Sequence, residues 1–102
     1  MNRREKLEAM LADDPHDQLL RYMLAMELDK AGDNDRSLSY LGRLMDDTIP
    51  YVPAFLMAGQ QLTRLDRVEE ARSVFQRGID AARSQGDDHA HEELQRFLSE
   101  LN

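Results

Sequence analysis

At 102 residues the chain has room for one domain, large enough to bury a core without help from metal or disulfide. It contains no cysteine, which excludes disulfides and thiolate metal sites and fits a reducing compartment, and its formal charge of −7 repels a phosphate backbone, which argues against nucleic acid as a partner. The acidity is uneven: residues 1–12 carry +1, 13–50 carry −5, 51–85 carry +1 and 86–102 carry −4.

The first segment, MNRREKLEAML, is charged from its third residue and lacks the apolar run of a secretory leader. No later segment is apolar for long enough to cross a bilayer, so a soluble, cytoplasmic protein with no membrane association is expected. Apolar residues then recur at helical spacing along almost the whole chain: Leu7, Met10 and Leu11; Leu20, Leu24 and Leu28; Leu38, Leu41, Leu44 and Met45; Phe55, Ala58, Gly59 and Leu62; Ala71, Val74, Phe75 and Ile79; Leu94, Phe97, Leu98 and Leu101. The breaks between them carry turn chemistry. Pro15 disfavours helix at Asp14, and Gly32 offers a C-terminal stop with Asp33 or Asn34 as the next N-cap. Pro50 and Pro53 precede or open a helix, Asp66 stands three residues before Glu69 as an Asp version of a capping box, and Gly86 is followed by Asp87 and Asp88. Helices are therefore predicted at about 3–13, 17–31, 34–47, 52–65, 67–84 and 88–101.

Six helices of similar length invite a search for repeats. A shift of 34 residues lays Gln18–Tyr51 over Val52–Gln85, so that Leu24-Ala25 falls on Ala58-Gly59, Leu28 on Leu62, Ser37 on Ala71 and Leu41 on Phe75. Paired helices at this period resemble the tetratricopeptide repeat (TPR), whose first helix carries an aromatic, then Leu-Gly, then Tyr, and whose second carries Ala, then Phe, before a closing Pro. Phe55, Ala58-Gly59, Leu62, Ala71 and Phe75 occupy those places in residues 52–85, with Gly78 where a small residue is usual. Residues 18–51 match less well: Arg21 stands in the aromatic place, Ser37 replaces Ala, Leu41 replaces Phe, Leu44 sits where a small residue is usual, and Pro50 falls one position late.

The resemblance implies an all-α fold, a right-handed superhelix of antiparallel helical hairpins with about six helices. It implies one domain over 1–102: an N-terminal half-repeat helix (1–17), two repeats (18–51 and 52–85) and a capping helix (86–102). It also answers why Gly59 interrupts FLMAGQQL, since glycine in a helix costs roughly 1 kcal/mol relative to alanine. Gly59 is expected to face Ala71 where the two helices of a hairpin cross closely.

Catalytic patterns are lacking. His89 and His91 are two apart and point in different directions on a helix, so they do not form a metal pair. The serines lack glycine-framed turns and no phosphate loop appears. The chain is expected to be no enzyme and to need no cofactor. By its resemblance it is a protein-interaction module binding a protein or peptide segment in a concave groove, with self-assembly, such as a homodimer, as the alternative and a solenoid RNA binder disfavoured by the acidity. The family register places Leu19, Tyr22, Met26, Asp29 and Lys30 of the first repeat on that groove, and Pro53, Leu56, Gln60, Thr63 and Arg64 of the second. Tyr22, Met26 and Lys30 share one stripe, as do Leu56, Gln60 and Arg64. Some family members grip the C-terminal carboxylate of heat-shock chaperones with a Lys and an Asn four residues apart. Tyr22 and Met26 occupy those places here, and the basic pair expected from a third first-helix falls near Asp87 and His91, which argues against such a clamp. The stripe suits a peptide with apolar anchors and a nearby acidic group.

Overall fold

Each break foreseen in the sequence becomes a helix end of a recognisable kind. In the computed structural model, which describes residues 1–101, α1 spans Arg3–Asp13, α2 Gln18–Lys30, α3 Asn34–Met45, α4 Val52–Arg64, α5 Val68–Gln85 and α6 Asp88–Glu100, and there is no strand among the described residues. The observed ends lie within two residues of those expected. The side chains of Asn2, Asp17, Asp33 and Asp87 accept hydrogen bonds from the backbone N–H groups of Glu5, Leu20, Arg36 and Ala90, supplying partners that a first helical turn otherwise lacks. Gly32 and Gly86 take left-handed backbone (φ 81° and 70°) and close α2 and α5, with the next N–H bonded back to Leu28 O at 2.9 Å and Ala82 O at 2.9 Å.

One cap differs from expectation. Asp66 is not an N-cap: it takes the left-handed conformation itself (φ 59°), ends α4 as Gly32 ends α2, and leaves Arg67 as the N-cap of α5 without a side-chain cap hydrogen bond. Arg67 N donates to Leu62 O at 2.8 Å, the same closing bond as at the other two turns. The demand for a left-handed residue after α4 prevails over the capping signature, and Asp is among the few non-glycine residues that tolerate it.

The chain folds as two compact units, Met1–Ile49 and Pro50–Asn102. In the first, α1 packs on α2 and α2 on α3. Leu7 and Leu11 of α1 meet Leu24 and Leu28 of α2, with Leu20, Met23 and Tyr40 against them, and Arg3 reaches Glu27 at 2.7 Å. Met10, in the same apolar series by spacing, is instead 52% exposed. Ala25 and Ser37 are fully buried, and the Ser37 hydroxyl donates to Ala25 O at 2.7 Å, which fixes how closely α2 and α3 approach.

In the second unit α4 packs on α5 and α5 on α6. The close approach at Gly59 is real, but its opposing residue differs from the expected Ala71. A Cβ added at Gly59 would lie 2.2 Å from Phe75 Cε1 and 2.5 Å from Cζ, so the glycine receives the face of the Phe75 ring one turn further along α5. The ring is 1% exposed and stacks on Phe97 of α6, centroids 6.0 Å apart. Gly78 plays the reciprocal part on α5: a Cβ there would lie 2.6 Å from Phe55 Cβ and 3.1 Å from Leu94 Cδ1. Two glycines on facing helices thus make room for two phenylalanines, a volume exchange that a close-packed interior requires.

Candidate functional site

The residues expected on a binding surface fall on two helices, α2 of the first unit and α4 of the second. On α2, Leu19 is 56% exposed, Tyr22 and Met26 are half-buried and Lys30 is exposed. They are distinct from the side of α2 that carries Leu24 and Leu28 into the core. Spacing of three and four residues sets them in one row. Asp29 is half-buried. The Lys30 ammonium stands 3.8 Å from Glu27, whose carboxylate also takes Arg3.

On α4, Leu56 is half-buried while Pro53, Gln60, Thr63 and Arg64 are exposed. The Thr63 hydroxyl is turned back onto Gly59 O at 2.8 Å, which spends its donor within the helix. Pro53 and Leu56 line a cleft of about 200 Å³ whose other wall is α6, through Asp87, His89, Ala90 and Glu93, and whose base includes Val52 (5% exposed) and Leu94 (1% exposed). The α6 half of this cleft was not foreseen from sequence. Its signal in the sequence is the −4 carried by residues 86–102, a segment that the family resemblance assigns to a cap.

His89 and His91, two residues apart, diverge as that spacing requires. His89 lies 4.0 Å from Glu93, while the His91 ring is 3.4 Å from the Arg83 guanidinium. Among the described residues no group of three or more His, Cys, Asp or Glu converges where a metal could be held.

The strongest electrostatic feature lies in the first unit. Arg21, 8% exposed, sits on α2 in the place where a family member carries an aromatic. Its guanidinium meets Asp47 Oδ2 at 2.6 Å and His16 O at 3.0 Å. The Gln18 amide donates to the same Asp47 carboxylate at 2.9 Å and to Ile49 O at 2.8 Å. The hydrogen bond from Arg21, then that from Gln18, holds the Asp47 carboxyl below its ordinary value. This is a structural clasp joining residues 47–49 to α2, and its one signal in the sequence is the anomaly at Arg21.

The packing defines a helical-repeat protein. No family model matches the chain. It is 30% identical over 98 residues to a TPR repeat-containing protein of Pseudomonas aeruginosa, covering 96% of this chain and 93% of that one. The solution structure of a tetratricopeptide repeat domain protein from Salinibacter ruber matches with a TM-score of 0.81 at 31% identity, over 86% of this chain and 89% of the other. The solution structure of a protein from Bordetella parapertussis matches with a TM-score of 0.81 at 33% identity, over 99% of this chain and 88% of the other. The chain belongs to the tetratricopeptide repeat family and has its all-α fold. In general terms that makes it a helical-repeat protein-interaction module. No helix among the described residues is long and apolar enough to cross a membrane.

Proposed function

We propose that the chain is a non-catalytic binding module of the cytoplasm that holds extended or helical segments of a partner protein, with Leu19, Tyr22, Met26 and Lys30 on α2 as the binding face of the first unit and Leu56, Gln60 and Arg64 on α4 as that of the second. The observation that carries this reading is the state of Tyr22, Met26 and Leu56: large side chains, half-buried, in rows at helical spacing. Half-buried aromatic and thioether groups can be covered further by a partner at little ordering cost, and they are the side-chain types that dominate peptide recognition. The chain would work as one domain, with residues 18–51 and 52–85 as its repeats. In a peptide selected on the immobilised protein from a random phage-displayed library, Tyr22→Ala is expected to weaken binding by about 1–2 kcal/mol with the helical circular dichroism retained. A cooperative loss of helix instead would make Tyr22 a core residue and overturn the assignment.

A second reading has its own observation. Met1, Met10 and Leu19 are 80%, 52% and 56% exposed, all in the first unit, and large exposed apolar groups also serve pairing between copies. A mass from light scattering that does not change with concentration and equals one chain would remove it.

A further inference from the structure

The cleft between α4 and α6 differs in character from the row on α2. Its inner surface is apolar, from Val52, Pro53, Leu56, Ala90 and Leu94, and its rim carries the carboxylates of Asp87 and Glu93. Asp88 and Glu92, both exposed, extend the same sign along the first turns of α6. Of the nearby basic groups, the Arg83 guanidinium lies against His91 and that of Arg96 lies 5.1 Å over the Phe97 ring, while His89, on the rim itself, lies 4.0 Å from Glu93. We propose that this cleft receives a lysine or arginine side chain of a basic partner segment, flanked by an apolar residue. The aliphatic stem of such a side chain matches the Pro53 and Leu56 wall, and its charged head reaches the rim, where a carboxylate makes the stronger, charge-assisted kind of hydrogen bond. A partner with acidic groups at this place would meet like charge and lose affinity for that reason. The proposal rests on the binding-module reading and adds to it the sign of the charge that the partner presents at α4 and α6.

The test is selection of a random heptapeptide phage library on the full chain, followed by fluorescence anisotropy of the selected peptides. The comparison is between the natural chain and an Asp87→Asn, Glu93→Gln double variant. Asparagine keeps the N-cap of α6 while removing its charge. Lysine or arginine beside an apolar residue should be enriched, and binding should fall about tenfold in the double variant, as expected for loss of one charge-assisted hydrogen bond. Added salt should weaken binding to the natural chain more than to the variant. Selected peptides that are neutral or acidic, and bind both proteins equally, would overturn the charge assignment while leaving the binding-module reading in place. No selected peptide of any charge would overturn both.

Discussion

The hairpins α2–α3 and α4–α5 lie 34 residues apart in one pattern, yet they are held by opposite chemistry. Where the second hairpin has Phe55 and Gly78, a broad ring over an absent side chain, the first has Arg21 and Leu44 at the matching positions. The buried guanidinium cannot be left without counter-charge, and Asp47 supplies it at 2.6 Å. Where the second hairpin has Gly59 under the Phe75 ring, the first has Ala25 and Leu41, with Ser37 hydrogen-bonded across the crossing. One backbone arrangement therefore tolerates either interdigitated rings or a polar clasp. The ring-packed second hairpin should be sensitive to volume, the clasped first hairpin to charge.

The largest effect should come from volume in the second hairpin. Gly59→Leu places a side chain where a lone Cβ already falls 2.2 Å from the Phe75 ring. That ring is held from behind by Phe97, so the substitution is expected to destabilise by about 3 kcal/mol, at the upper end of ordinary overpacking. An unchanged urea midpoint would show that the two helices are free to separate, and would end the contrast.

Charge in the first hairpin comes next. Asp47→Asn keeps the shape of the clasp but leaves Arg21 buried without its counter-charge, with an expected cost of about 1–2 kcal/mol at neutral pH. Because the folded-state pKa of Asp47 lies below its unfolded value, its contribution is present above about pH 4 and disappears as pH falls through the folded value. Urea titrations of the two proteins should consequently converge on acidification. A gap that stays constant down to pH 2.5 would mean the carboxylate's charge is not what holds Arg21.

The smallest effect concerns the turns. Asp66→Gly relieves the left-handed strain that Gly32, at the matching place in the first hairpin, does not suffer. A stabilisation of about 0.5–1 kcal/mol is expected, partly offset by the greater freedom of glycine in the unfolded chain. Thermal melting is enough to read it, and a lower melting temperature would show that the Asp66 side chain has a compensating role.

The helices and their order were legible from sequence because the apolar period of Leu24 and Leu28, Leu41 and Leu44, or Val74, Phe75 and Ile79 is itself the packing requirement. The errors arose where two local signals competed. Asp66 reads as a cap by its distance from Glu69, but its position 34 residues after Gly32 was the stronger indicator. At Gly59 the presence of a close approach was legible, whereas its partner was displaced by one turn, since which of Ala71 and Phe75 fills the space depends on helix rotation that no pattern of residue types fixes. The residues proposed for the α2 and α4 faces follow from the family register and not from the apolar period. The α6 wall of the cleft was not legible, because it depends on how α6 packs after Gly86.

The Gln18 amide, donating at once to the Asp47 carboxylate and to the Ile49 carbonyl, ties positions 29 and 31 residues apart in sequence. In terms of chain length, this makes residues 46–49 a measured strap rather than a spacer. Lengthening or shortening the strap by one residue would move either Asp47 or Ile49 off the amide, so natural length variation and engineered insertions should be rejected there. The exposed DPH stretch at 14–16 is held by backbone atoms instead, Asp14 O accepting from Asp17 N and His16 O from the Arg21 guanidinium.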